Sequence, residues 1–225
     1  MLTGGAYLHL SHRVADLADQ AEHALALFAS TSPSYLILQS LDGVNPYLAG
    51  DYPAALATCC DRVAALKAAL VAAGYTLAGE EPTKVTVATK PYGYTGEQMA
   101  AYLAQRGIHV EFADPDYLVL MISPENTPED LQTVQTALTA LPKAEPLTST
   151  PPTLTPPQAA IGLRRALFAP AETLPLERCI GRVLASPTVG CPPAVPVLVG
   201  GEVVDESAAA VFRYYGYDTI RVVKK

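Results

Sequence analysis

The chain has 225 residues, of which half are apolar and 16% are charged, and its formal net charge is −7. This composition can bury a sizeable core, which excludes a chain that is disordered throughout. The acidic balance and the lack of a basic stripe exclude an electrostatic surface for nucleic acid. No apolar run reaches the ~20 residues that cross a bilayer, so we expect no membrane partner and a cytoplasmic location.

The N-terminal part is predicted to be mostly helical. Residues 6–10 alternate loosely and predict a short strand, and residues 14–28 carry apolar side chains at helical spacing. That helix should stop at the polar turn of residues 30–35, where Pro33 disfavours helical geometry at the preceding serine. A long Ala/Leu/Val helix is expected over residues 52–73, and Gly74 is a plausible helix-terminating glycine.

A compact α+β unit is predicted next. Residues 83–89 are rich in β-branched side chains and predict a strand, and a helix should run from Thr95 to Arg106, with Gly107 ending it. Two strands are expected at residues 109–113 and 117–122. Thr127 as N-cap, with proline and two acids after it, predicts a final helix that reaches residue 141.

Residues 142–157 contain six prolines and predict a linker or an extended connection. Beyond it we expect a short helix, a Pro/Gly-rich middle, a helix near residues 206–214 and a terminal strand at 219–223. The chain therefore has three parts: a helical N-terminal piece, the α+β unit and a C-terminal module.

The cysteines and histidines do not predict a metal site. None of the cysteines forms a CxxC pair, and buried or half-buried free thiols explain them. None of the histidines stands next to a nucleophile in a base-orienting pattern, and those in predicted strands are typical of packed side chains. The residues concerned are Cys59, Cys60, Cys179, Cys191, His9, His12, His23 and His109.

Two segments can carry chemistry. The hydroxyls of Ser30, Thr31 and Ser32 follow a helix and are fixed by a proline, an arrangement that can bind a phosphate, although an ordinary helix-ending turn also explains it. The proline-rich stretch 191–202 is stiff and can hold the carboxylate of Glu202 at a pocket edge, or it can be a rigid loop with a solvated glutamate.

Six stretches, in chain order, form a recognisable set. They are LTGGAYLHL (2–10), STSPSYLILQSLD (30–42), EPTKVTV (81–87), GYTGEQMAAYLAQRGIHVEFADPDYLVLMIS (93–123), TPEDLQTVQTAL (127–138) and ERCIGRVLASPTVGCPPAVPVLVGGEVVDE (177–206). Together they span nearly the whole chain, and they resemble the ornithine/lysine/arginine decarboxylase family. The STSPSY stretch and the GR…PP…P…GE pattern are too specific to match that family by chance.

The resemblance implies an α/β to α+β fold from the fold-type-I enzymes that use pyridoxal phosphate (PLP). On this reading residues 1–75 end the large PLP-dependent domain, 76–142 form a small α+β domain, 143–157 are the proline-rich linker and 158–225 are the decarboxylase C-terminal domain. Such enzymes are dimers or assemblies of dimers, and they decarboxylate a basic amino acid to a polyamine precursor.

The resemblance also implies that the family's cofactor-binding lysine, the aspartate that pairs with the pyridine nitrogen and the ring-stacking residue would all precede residue 1. We therefore expect a fragment that is inactive alone and does not hold PLP covalently. Neither Lys84 nor Lys90 lies in the family's lysine motif, so neither is expected to substitute.

Site residues carry over only where motifs match. Ser30, Thr31 and Ser32 lie where the family has a turn that reaches the cofactor phosphate of the neighbouring subunit. Glu202 lies where the family approaches the cationic end of the substrate. The family's PPGIP is PPAVP here, and its PGE is GGE. Alanine at 194 removes access to positive φ, which puts the position of Glu202 in question.

The expected function is thus the C-terminal fragment of a basic amino-acid decarboxylase, completed by a missing N-terminal half or by homo-oligomerisation. The alternative is a non-catalytic partner or regulatory subunit of a full-length decarboxylase, and a third is an unrelated α+β domain. The sequence does not choose among arginine, lysine and ornithine, with arginine slightly favoured.

Overall fold

The structure is a computed structural model that describes residues 2, 4–14, 16–29, 32–187 and 195–225. The chain divides into two compact units, residues 1–58 and 59–225. Helix α4, Tyr52–Ala72, contributes to both.

The first unit is helical. It contains α1 (Asp16–Phe28), α2 (Tyr35–Asp42), α3 (Val44–Ala49) and the start of α4. The segment before α1 lies beside α2, where the Leu2 amide donates to Ser40 Oγ at 2.7 Å and the Tyr7 hydroxyl donates to the Leu41 carbonyl at 3.4 Å.

The strand predicted at residues 6–10 is wrong. These residues are irregular, and the part of the chain that the structure describes pairs no strand with them. An extended segment becomes a strand only when a neighbour satisfies its backbone N–H and C=O groups.

The second unit contains a four-stranded antiparallel sheet, ordered β1-β2-β4-β3. Its strands are β1 (Thr76–Ala78), β2 (Lys84–Ala88), β3 (Phe112–Ala113) and β4 (Tyr117–Met121). The register places Thr86 opposite Val119. Strand β3 is much shorter than the predicted residues 109–113.

One face of this sheet is covered by helices. Alternate residues of β2 and β4 are buried, as period-two side-chain alternation requires. Helices α5 (Gly96–Ala104) and α6 (Pro128–Ala140) each begin with a capping box, at Thr95 and Thr127. The second half of α4 also contributes to this core, through Val63, Leu66 and Leu70. The other buried core residues include Val85, Val87, Met99, Leu103, Leu118 and Leu138.

The C-terminal module has a second, smaller core. The module comprises α7 (Leu163–Phe168), α8 (Glu206–Tyr214) and the antiparallel pair β5 (Ala171–Pro175) and β6 (Thr219–Val223). The amphipathic pattern of α8 buries Phe212 completely, against Leu176, Leu184, Ile220 and Val222.

The proline-rich linker is tied to this module. Asp205 caps α8 by accepting from the Ala208 amide at 2.7 Å, and its other oxygen accepts from the Thr155 hydroxyl at 2.7 Å. The linker is therefore ordered by α8 at this point.

Candidate functional site

The serine-rich turn lies between α1 and α2. Ser30 and Thr31 are outside the described residues. Ser32 is exposed at a bend. Ser34 is the N-cap residue of α2, with extended backbone geometry but no capping hydrogen bond from its side chain. The structure thus places one of the three predicted phosphate ligands, at the surface of the first unit.

Glu202 closes a tight turn in the C-terminal module. Its Oε2 accepts from the Val199 amide at 2.7 Å, and its backbone bridges to Ala159. Gly201 has a φ of 98°, and a Cβ there would meet the Ile161 carbonyl oxygen at 2.2 Å, so glycine is required. Glu202 is half-buried, and the hydrogen bond from the Val199 amide holds its carboxylate against the turn. Ala194, which differs from the family pattern, lies outside the described residues.

A buried ionic cluster was not predicted from the sequence. Lys90, just after β2, places its Nζ 2.8 Å from Asp116 Oδ1, and only 9% and 12% of these two side chains are exposed. The ammonium also donates to the Ser149 carbonyl at 2.7 Å and to the Tyr214 hydroxyl, which in turn donates to Asp116 at 2.7 Å. The cluster joins the α+β unit, the linker and α8.

The charges of this cluster reinforce each other. Burial alone lowers the pKa of Lys90, but the hydrogen bonds to Asp116 and Tyr214 outweigh it and the pKa is raised. Asp116 Oδ2 is buried and has no hydrogen-bond partner. Among the described residues it is the one buried side-chain oxygen or nitrogen without a hydrogen-bond partner.

Lys90 does not fit the role of a lysine that holds PLP. An ammonium has three donors, and those of Lys90 face Asp116, Tyr214 and the Ser149 carbonyl. Its raised pKa also disfavours the neutral amine that covalent attachment needs. Lys90 therefore has a structural role.

A cleft of about 440 Å³ lies near this cluster. The turn between β3 and β4 forms one side, and the end of α8 and the segment after residue 194 form the other. Its lining includes Glu97, Phe112, Asp114, Val197, Tyr215 and Tyr217.

The histidines and cysteines form no metal site in the described part of the chain. His9, His12, His23 and His109 are all exposed, while Cys59 and Cys179 are buried free thiols and Cys60 is half-buried. None of the helices described is long and apolar enough to cross a membrane.

Comparison with known proteins shows which family this chain resembles. The family described as Orn/Lys/Arg decarboxylase, C-terminal domain, matches residues 142–218. The chain is similar to the C-terminal portion of proteins of the Orn/Lys/Arg decarboxylase family. An arginine decarboxylase of Halalkalibacterium halodurans is 28% identical over 218 residues, and one of Bacillus subtilis is 26% identical over 217 residues. Each alignment covers 87% of this chain and 44% of the relative.

Solved structures agree on the fold. Lysine decarboxylase A from Pseudomonas aeruginosa superposes with a TM-score of 0.71 at 16% identity, covering 92% of this chain and 45% of that chain. The constitutive lysine decarboxylase of E. coli gives a TM-score of 0.63 at 17% identity, covering 92% and 46%. The chain thus spans under half the length of the relatives that it matches, and its mixed α/β fold resembles their C-terminal part.

Proposed function

We propose that this chain is the C-terminal portion of a PLP-dependent decarboxylase that acts on a basic amino acid. The observation that carries the proposal is the match to the family's C-terminal domain, together with relatives named arginine decarboxylase that align along 87% of the chain. Because the chain spans 44% of those relatives, we propose that the remaining portion supplies the lysine that holds the cofactor.

Arginine is the substrate that we favour. Four of the relatives found by sequence, at 25–28% identity, carry the name arginine decarboxylase. The lysine decarboxylases match at 16–17% identity, which supports a common fold alone. A side-by-side assay of arginine, lysine and ornithine tests this choice.

The serine-rich turn and Glu202 have separate proposed roles. PLP supplies an electron sink for the carbanion left when carbon dioxide departs. We propose that Ser30, Thr31 and Ser32 donate hydrogen bonds to its phosphate across a dimer interface, so that a dimer is needed. Glu202, fixed by its turn, faces the cationic end of the substrate. A rigid carboxylate suits that role, because a preorganised charge loses little freedom on binding.

The proposal for the turn is tested by Thr31→Ala in the completed enzyme. Hydrogen bonds to a charged phosphate are worth roughly 1.5–3 kcal/mol, so the apparent Kd for PLP should rise about tenfold or more. Thr153→Ala, an exposed position in the linker, is the matched control and should leave the Kd unchanged. A fall in melting temperature with unaltered PLP affinity would mean that the turn only ends α1.

The alternative is a non-catalytic partner of a full-length decarboxylase, favoured by the same 44% coverage. Co-purification distinguishes the two. A partner of this kind should bind a full-length decarboxylase and change its rate, whereas a portion of an enzyme should restore activity to an inactive complementary segment.

A further inference from the structure

The cleft beside the β3–β4 turn combines aromatic rings with carboxylates. Phe112, Tyr215 and Tyr217 line it together with Glu97 and Asp114. Its volume of about 440 Å³ lies within the range of small-molecule sites. Aromatic faces attract cations electrostatically, and carboxylates do so more strongly, so both kinds of lining group favour the same type of ligand.

The cleft carries negative charge and has no cation of its own among the described lining residues. Burial raises the pKa of Asp114, two backbone N–H groups oppose this rise, and the carboxylates of Asp116 and Glu97 add to it. The pKa of Tyr215 is also raised, by burial and then by Asp116 and Asp114. A positive charge placed in the cleft would relieve this repulsion.

The same two elements already bind an ammonium group next to the cleft. Lys90 Nζ contacts Asp116 in the β3–β4 turn and Tyr214 in α8, and it lies 4.8 Å from the centroid of the Tyr214 ring. Asp114 and Tyr215, from the same turn and the same helix end, line the cleft, where no lysine of this chain is among the described lining residues. The fold therefore presents two adjacent carboxylate–tyrosine pairs, and only one of them holds an internal cation.

We propose that this cleft binds a small organic cation, an alkylammonium or alkylguanidinium whose charge faces Glu97 and Asp114. Its methylene stem would lie against the rings of Phe112, Tyr215 and Tyr217. A bare divalent ion suits the cleft less well, because hard cations require six or more oxygen ligands and the lining is largely aromatic and aliphatic. Glu202 is not among the described residues that line the cleft, and the test below needs no PLP, so the proposal does not depend on the proposed decarboxylation.

The test is a direct titration of the full chain with α,ω-diaminopentane by calorimetry at constant ionic strength, with no PLP present. We expect saturable binding. The uncharged α,ω-pentanediol, which has the same stem, should not bind measurably. Glu97→Gln should weaken binding about threefold and Glu97→Gln with Asp114→Asn about tenfold, as expected for partly exposed charge pairs.

The control is Glu80→Gln, which makes the same change in net charge at an exposed residue outside the cleft and should not alter the affinity. Asparagine at 114 can still accept from the amides of Asp116 and Tyr117, which Asp114 Oδ1 binds at 2.8 and 2.7 Å. If the double variant nevertheless unfolds, the single variant Glu97→Gln, which changes an exposed residue, provides the test. Absence of saturable binding, equal binding of the diol, or equal loss in Glu80→Gln and Glu97→Gln would overturn the proposal.

Discussion

Replacing Lys90 by methionine should destabilise the second unit strongly. The Lys90–Asp116 ion pair is nearly buried, with 9% and 12% of the side chains exposed. Methionine keeps the length of the stem but leaves the Asp116 carboxylate without its cation. Removing one partner of a buried pair costs about 3–5 kcal/mol in the free energy of unfolding, because an uncompensated charge stays buried.

Two further variants separate charge pairing from packing. Asp116→Asn should cost a similar amount, since it leaves the Lys90 ammonium buried. The double variant should cost clearly less than the sum of the two single variants, with a coupling free energy of about 2 kcal/mol or more, because no unpaired charge remains. Tyr214→Phe removes one hydroxyl bound to charged groups and should cost about 1.5–3 kcal/mol.

The assay is urea unfolding followed by far-ultraviolet circular dichroism, since the chain has no tryptophan. Lys84→Met is the matched control, because the Lys84–Glu81 pair is exposed by 32% and 55% and should contribute at most ~1 kcal/mol. The raised pKa of Lys90 means that its contribution is complete at neutral pH and is lost only as pH rises through its folded pKa, above about 10.5. Equal stabilities of Lys90→Met and Lys84→Met would refute the reasoning.

Three other predictions address the turns and the first unit. The pKa of Asp205 is lowered to about 2 by the Ala208 amide and the Thr155 hydroxyl. The stabilisation by its carboxylate is therefore present above the ordinary pKa of 3.8 and is lost as pH falls towards 2. Asp205→Asn should remove this part of the pH dependence of the melting temperature. Gly201→Ala should lower the melting temperature markedly, since its φ is 98° and the new Cβ meets a carbonyl oxygen, whereas Gly162→Ala meets nothing within 4 Å and serves as the control. Phe28 and Leu36 are 88% and 70% exposed, so we expect the first unit to self-associate through apolar surface. The double variant Phe28→Ser, Leu36→Ser should reduce light scattering and the fluorescence of a hydrophobic dye. Unchanged association would show that these side chains do not cause it.

Local signals explain the elements that the sequence predicts correctly. The Thr127 cap with Pro128 fixes the start of α6, and the terminal strand and α8 have the predicted bounds. Gly74 has the positive φ of a helix-ending glycine. Each of these depends on residues within a few positions of one another, which a sequence pattern displays directly.

Non-local pairing explains what the sequence does not predict. Strands β1 and β5 are short, and β5 is defined by pairing with β6, nearly fifty residues later in the chain. Lys90 meets Tyr214 across 124 residues, and no motif connects them. Local patterns mark Ser32 and Glu202 as candidates, but their specific roles come from the family resemblance. Their proposed ligands are not part of this chain, so no pattern within the chain reveals those roles.

The most direct test of the proposed function is carbon dioxide release from carboxyl-labelled arginine. This chain is co-expressed with the N-terminal segment of the Halalkalibacterium halodurans arginine decarboxylase, the part of that relative that it does not match. The positive control pairs the same N-terminal segment with the C-terminal segment of the Halalkalibacterium halodurans protein. We predict PLP-dependent release that exceeds the release by either part alone. An active control pair together with an inactive, stably associated pair containing this chain would contradict the proposal that it completes a decarboxylase.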